Sequence, residues 1–205
     1  MKFNTPTKLT FLRLILALVI IFILLFPFEL IGFSFSGPFL FENILVDFKY
    51  ILAGVIFLLA SFTDYLDGML ARKNNQITDF GKFSDAIADK ILVNSVLIIF
   101  ACQGYIPAFI PVIIIMRDTI VDAIRMNVAT KGKVQAAHLS GKLKTATLMI
   151  GTTLVFFFNL PFELWGLEVA NGFLYFGTVM ALVSLYEYYT LNKKFIFSEF
   201  EKTKK

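Results

Sequence analysis

Cysteine, histidine and tryptophan are almost absent from this sequence, which has one of each among 205 residues. The single cysteine, Cys102, excludes a disulfide within the chain. Thiolates and imidazoles do not cluster, so a metal site here would need oxygen ligands. Charged residues are also scarce, at 17%, and no soluble domain, internal repeat or low-complexity linker stands out. We therefore expect a single domain over residues 1–205 and no nucleic-acid partner.

Apolar residues, in contrast, make up 58% of the chain, with 25 phenylalanines and a mean hydropathy of +0.76. A soluble domain of this length could hardly bury so much apolar surface, so the composition indicates an integral membrane protein in a lipid bilayer. The apolar stretch near the N-terminus is too long for a signal peptide and no A-x-A site follows it. We expect it to be retained as a first span.

Six stretches are long and apolar enough to cross a membrane as helices, which takes about 20 residues per crossing. They cover, approximately, residues 10–31, 48–70, 84–103, 105–128, 143–160 and 168–190. The sequence thus predicts an all-α integral membrane protein with six transmembrane helices.

Basic residues test this topology, because six spans place both termini on one side. All of the 19 lysines and arginines except Lys49 fall on that side. The opposite loops carry the acids Glu29, Glu42, Asp47, Glu163 and Glu168. By the positive-inside rule, both termini are expected in the cytoplasm, with the Lys-rich C-terminal residues as a solvated tail.

Four aspartates occur where the second span ends and the third begins. Asp64 and Asp67 are three residues apart, and Gly81, Asp85 and Asp89 follow at intervals of four, so each set shares one helical face. Two helices joined by a short loop can aim the four carboxylates at one point. Two divalent cations would balance their charge, and oxygen ligands favour Mg²⁺ or Mn²⁺.

Small and basic residues accompany these aspartates. Gly68 and Gly81 allow close approach of a ligand to the backbone, and Ala71 could shape the same wall. Arg72 can bind a phosphate with two hydrogen bonds. The set indicates a diphosphate site, with phosphoryl transfer and diphosphate departure both open. Asp79, off the stripe, is expected to be solvated or to cap a helix.

The segment DYLDGMLARKNNQITDFGKFSDAIAD resembles the signature D-x2-D-G-x2-A-R-x8-G-x3-D-x3-D of the CDP-alcohol phosphatidyltransferases. The resemblance implies six transmembrane helices, a homodimer and a bacterial plasma membrane with a cytoplasmic active site. It implies that Asp89 is the general base and that two-metal catalysis releases CMP. It further implies that the metals are bound by Asp64, Asp67, Asp85 and Asp89. The residues expected by the same resemblance to bind the CDP donor are Asp67, Gly68, Ala71, Arg72, Gly81 and Asp85.

A second polar cluster indicates a phosphate on the acceptor. Arg117 and Arg125 lie eight residues apart on the fourth span, and Lys142 and Lys144 enter the fifth. Arginines near membrane depth need an anionic partner. We interpret the four residues as a pocket for the acceptor phosphate. The alternative is that Asp118 or Asp122 pairs with the arginines. Lys131, Lys133 and His138 are expected to be ordinary exposed loop residues.

The acceptor region is similar to that of the bacterial phosphatidylglycerophosphate synthases. The similarity lies in NTPTKLTFLR, which ends at Arg13, and in RDTIVDAIR and GKLKT. Thr7, Ala86, Asp118 and Asp122 depart from the usual pattern. The resemblance implies transfer from CDP-diacylglycerol to glycerol 3-phosphate. Cardiolipin, phosphatidylinositol-phosphate and phosphatidylserine synthases remain alternatives; a membrane prenyltransferase or a divalent-cation carrier is a more distant one.

Overall fold

A computed structural model describes residues 5–32, 39–41, 44–73, 79–130 and 138–202. Within the helices, it describes the backbone but not the side chains of residues 5–8, 64–73, 79–83 and 194–202.

The described residues form six α-helices, each overlapping one predicted span. They are α1 (Thr5–Leu25), α2 (Phe48–Lys73), α3 (Asp79–Cys102), α4 (Phe109–Thr130), α5 (Leu139–Phe156) and α6 (Val169–Lys202). The prediction of a helical protein is therefore confirmed. An antiparallel hairpin of two three-residue strands, β1 (Phe39–Phe41) and β2 (Ile44–Val46), was not predicted.

Several helix ends differ from the sequence-based boundaries by four or more residues. The fourth helix begins four residues late, because Gly104, with a φ of +79°, and Pro107 form a turn before Phe109. The third helix begins at Asp79, five residues before the predicted boundary at residue 84. The sixth continues as a helix to Lys202, well into the segment predicted to be a solvated tail.

The core lies where large aromatic side chains from several helices meet. Phe57 on α2, Phe100 on α3 and Phe156 on α5 are fully buried. The ring of Phe156 lies 5.3 Å from that of Phe57 and 4.7 Å from that of Phe100. Such pairs add attraction beyond the apolar area that they bury. The three rings thus join α2, α3 and α5 around one centre.

Glycines allow α5 and α6 to pack closely. A Cβ at Gly151 on α5 would lie 2.9 Å from Leu174 on α6. A Cβ at Gly177 on α6 would lie 2.8 Å from the hydroxyl of Thr147 on α5. Small residues at such positions let two backbones approach, as is common between membrane helices. This contact holds the two helices that carry part of the polar cluster described below.

The outer faces of the helices are apolar. Leu18 on α1, Val112 on α4 and Val179 on α6 are each more than half exposed. By length and composition alone, one helix of the described residues, Val169–Lys193, could cross a membrane, and two apolar segments, Leu9–Leu25 and Phe48–Thr63, are shorter. Apolar side chains that face outward suit a lipid environment. The structure and composition therefore fit a membrane protein.

Candidate active site

The acidic motif lies on α2 and α3, as its spacing predicts. Asp64, Asp67, Gly68, Ala71 and Arg72 all fall in the last three turns of α2. The side chains of these residues lie outside the described set, so their convergence on one point stays a prediction. The same holds for Gly81 and for the capping role expected of Asp79, both in the first turn of α3. Both halves of the motif are nevertheless helical, which the predicted carboxylate faces require.

Asp85 and Asp89 are the two motif aspartates whose side chains the structure describes. They lie one turn apart on α3, and their side chains are 38% and 36% exposed. Arg13 Nη1 on α1 donates a hydrogen bond of 2.7 Å to Oδ1 of each carboxylate. The helix α1 packs against both α2 and α3, the two helices that carry the motif. The two carboxylates therefore lie at one location.

The chemistry of these donors fits a divalent cation such as Mg²⁺ or Mn²⁺. Asp85 and Asp89 present carboxylate oxygens at a partly exposed position, and hard cations prefer oxygen ligands. Among the residues with described side chains, no group of three or more aspartates, glutamates, histidines or cysteines is placed to hold a metal ion. Asp64 and Asp67, the other predicted ligands, are not in that part.

The predicted phosphate-binding residues Arg117 and Lys144 meet in the protein interior. Each is 7% exposed, and Asp118 between them is 8% exposed. Lys144 Nζ donates to both oxygens of Asp118, at 2.7 and 2.8 Å, and Arg117 Nη1 donates to Oδ1 at 2.9 Å. Arg117 also donates to the hydroxyl of Ser184 on α6. The pairing of Arg117 with Asp118, one of the two alternatives for this cluster, is thus present.

Arg125 has a different environment and is exposed. Its guanidinium donates to the hydroxyl of Tyr188 on α6 and lies 4.9 Å from the centre of that ring. Arg117 lies 5.8 Å from the same ring, so Tyr188 contacts both arginines. His138 packs edge-on against Tyr188 and is partly buried, so its assignment as an exposed loop residue is wrong. Lys142 is exposed, and Lys131 and Lys133 lie outside the described residues.

A salt bridge joins the acidic site to the basic cluster. Lys90, the residue after Asp89, binds Asp122 on α4. Asp122 lies four residues after Asp118 and three before Arg125, and hence on the same side of α4. The helices α3 and α4 are in contact. The carboxylates and the basic residues therefore belong to neighbouring parts of one polar region.

Several residues of this region were not assigned a role from the sequence. They are Arg13, Lys90, Ser140, Ser184, Glu187 and Tyr188. Arg13 ends a segment on which the family resemblance rests. Its positive charge within an apolar helix was the one sequence feature that could have indicated a buried acidic partner. Ser184 and Tyr188 share a face of α6, but nothing local shows that this face meets α4.

A family model described as CDP-alcohol phosphatidyltransferase matches residues 3–184. Curated relatives are named CDP-diacylglycerol–glycerol-3-phosphate 3-phosphatidyltransferase. The protein of Bacillus subtilis is 37% identical over 190 residues, 93% of this chain and 95% of the relative. That of Wigglesworthia glossinidia brevipalpis is 32% identical over 195 residues, 92% of this chain and 94% of the relative. That of Haemophilus influenzae is 32% identical over 201 residues, 94% and 95% of the two chains.

Proposed function

The chain belongs to the CDP-alcohol phosphatidyltransferase family, and on that basis we propose that it transfers a phosphatidyl group from CDP-diacylglycerol to glycerol 3-phosphate. The products are phosphatidylglycerophosphate and CMP. The names of the relatives support both substrates. The observation that carries the proposal is the salt bridge between Lys90 and Asp122, because it brings the predicted catalytic carboxylates beside a basic cluster.

Asp89 acts as the general base in this proposal. It removes the proton from a hydroxyl of glycerol 3-phosphate, and the resulting oxygen attacks the phosphorus that bears the diacylglycerol. The bond between that phosphorus and the oxygen bridging to CMP breaks, and CMP leaves with the electron pair. Asp89 suits this role because it is partly exposed and shares its contact with Arg13 with Asp85, a predicted metal ligand.

The residues of the motif hold the donor. We assign the CDP part to Asp67, Gly68, Ala71, Arg72, Gly81 and Asp85, as the family signature implies. Two divalent cations, held by Asp64, Asp67, Asp85 and Asp89, would supply positive charge to the diphosphate. The oxygen ligands suit Mg²⁺ or Mn²⁺.

The acceptor phosphate is assigned to Arg117, Arg125, Lys142 and Lys144. The buried group of Arg117, Lys144 and Asp118 has two positive charges and one negative charge. A buried excess of positive charge is costly unless an anion compensates it. Phosphate would provide that charge, and the exposed Arg125 and Lys142 would lie toward solvent, where a soluble acceptor enters.

We propose six membrane spans, both termini in the cytoplasm, one domain over residues 1–205 and an active site that faces the cytoplasm of a bacterial cell. The distribution of basic residues supports the orientation. The spans are supported by six helices that overlap the six predicted apolar stretches. Charged residues in α2–α5 lower the hydropathy of those helices, as expected where polar groups face a site. The homodimer is carried over from the family resemblance.

The proposal is tested by the release of CMP from CDP-diacylglycerol in detergent micelles containing the purified protein. We expect CMP to be released when both glycerol 3-phosphate and Mg²⁺ or Mn²⁺ are present. The lipid product is identified by mass spectrometry as phosphatidylglycerophosphate. Release of CMP that is independent of an acceptor would indicate hydrolysis and contradict the proposal.

A further inference from the structure

Arg13 is a charged residue of α1 with a fully buried side chain. A guanidinium remains protonated in proteins, so this side chain carries its charge into the interior. Burying an ion is costly unless it is paired and hydrogen-bonded. The position of Arg13 is therefore tied to its partners, Asp85 and Asp89.

The contact with these partners is a single nitrogen shared by two carboxylates. Arg13 Nη1 lies 2.7 Å from Oδ1 of Asp85 and 2.7 Å from Oδ1 of Asp89. These two oxygens are thus no farther apart than twice that distance. Both carboxylates are partly exposed, whereas Arg13 is not, so the arginine holds them from the buried side.

We propose that Arg13 is a positioning residue that fixes Asp85 and Asp89 in the arrangement in which they bind a divalent cation. The proposal rests on the assignment, made above, of these two residues as metal ligands. Two adjacent carboxylates repel each other, and a buried cation between them offsets this repulsion. Removal of a group that orients metal ligands in this way commonly lowers metal affinity by about 10- to 100-fold. The role links α1 to the catalytic motif on α3.

The test is the affinity of the purified full-length protein for Mn²⁺, measured by electron paramagnetic resonance in detergent without CDP-lipid. We expect Arg13→Gln to weaken Mn²⁺ binding by about 10- to 100-fold. Arg13→Lys keeps the charge but lacks the planar fork of donors, so it should recover part of the affinity.

Ile20→Ala provides the control for a general loss of stability. Ile20 lies on the same helix, is fully buried and is part of the apolar core. Its truncation leaves a cavity and lowers the unfolding temperature. We expect it to leave Mn²⁺ affinity within twofold of the wild type, since Ile20 lies about two turns along α1 from Arg13 in the apolar core.

Three results would overturn the proposal: Arg13→Gln binding Mn²⁺ as tightly as or more tightly than the wild type, Ile20→Ala losing as much affinity, or the wild type not binding Mn²⁺. Tighter binding would mean that Arg13 competes with the cation. The assay of CMP release with glycerol 3-phosphate distinguishes failure of the positioning role from failure of the proposed function. An active wild type with unchanged Mn²⁺ affinity in Arg13→Gln refutes the positioning role alone. If Arg13→Gln loses affinity for Mn²⁺ but the wild type is inactive with glycerol 3-phosphate, the proposed function alone is refuted.

Discussion

Lys144 on α5 donates hydrogen bonds to both carboxylate oxygens of Asp118 on α4, at 2.7 and 2.8 Å. Both residues are almost fully buried, and Arg117 binds the same carboxylate. The single negative charge of Asp118 is thus paired with two positive charges, those of Lys144 and Arg117. The pairing links α4 to α5, and it leaves a positive charge for which an acceptor phosphate is the proposed partner. Substitutions of Lys144 and Asp118 can therefore distinguish an effect on stability from an effect on acceptor binding.

Lys144→Gln is expected to lower stability and to weaken acceptor binding. The substitution removes the ammonium that donates to Asp118 but leaves Asp118 paired with Arg117, so we expect a cost of about 1.5–3 kcal/mol, less than for a buried charge left unpaired. We expect the KM for glycerol 3-phosphate to rise about tenfold, since a hydrogen bond to a charged group contributes about 1.5–3 kcal/mol. The KM for CDP-diacylglycerol should not change. Thermal unfolding and steady-state kinetics measure the two effects.

The double variant Asp118→Asn/Lys144→Gln distinguishes the effect on stability from the effect on the KM for glycerol 3-phosphate. It also leaves the buried Arg117 without its carboxylate, so we expect its stability to fall below that of Lys144→Gln. The high KM for glycerol 3-phosphate should persist, because the cation is still missing. If Lys144→Gln has a wild-type KM for glycerol 3-phosphate, Lys144 is not part of the phosphate pocket.

Tyr188→Phe tests whether Tyr188 orients Arg125. The substitution removes the hydroxyl that accepts a hydrogen bond from Arg125 and keeps the ring beneath the guanidinium. We expect the KM for glycerol 3-phosphate to rise about tenfold, with kcat within about twofold of wild type, because the lost interaction involves a charged group. An unchanged KM together with a reduced kcat would exclude this role.

Gly177→Ala tests the close packing of α5 and α6. The added Cβ would lie 2.8 Å from the Thr147 hydroxyl and 3.0 Å from Leu148, and overpacking of this kind costs about 1–3 kcal/mol. Gly172→Ala is a matched control on the same helix, where a Cβ would meet nothing within 4 Å. We expect the first variant to unfold at a lower temperature and the second to match or exceed the wild type. Equal effects in both would contradict this packing.

Asp89→Asn tests the assignment of the base. The amide cannot accept the proton, so we expect kcat to fall by about 10²- to 10⁴-fold, the usual contribution of general base catalysis. The protein should remain folded and extractable in detergent, since Arg13 retains Asp85 as a partner. Circular dichroism checks the fold, and CMP release checks turnover. Full activity in this variant would remove Asp89 as the base.

The sequence predicted the number and type of the main elements because long apolar runs have few other stable forms in lipid. It also placed Asp85 and Asp89 on one face, and both contact Arg13. The hairpin of β1 and β2 was missed, since strands of three residues give too short a pattern. The extension of α6 to Lys202 was missed because its charges resembled those of a solvated segment.

The contacts between helices could not be predicted in the same way. A periodic pattern gives the faces of a helix but does not identify the neighbour of each face. The bonds from Arg117 to Ser184 and from Arg125 to Tyr188 join residues more than 60 positions apart. Lys90 had no evident partner in its own helix and binds Asp122 on the next. These contacts depend on the packing of α4 against α6 and of α3 against α4.

The most direct test of the proposed activity is a competition among radiolabelled acceptors with CDP-diacylglycerol as the only donor. The purified protein would be given glycerol 3-phosphate, serine, an inositol phosphate and phosphatidylglycerol together, with one of them labelled in each reaction. We predict that label enters lipid from glycerol 3-phosphate alone, as phosphatidylglycerophosphate, with one CMP released per lipid formed. Incorporation of only serine or phosphatidylglycerol would contradict the assignment of the acceptor pocket to Arg117, Arg125, Lys142 and Lys144.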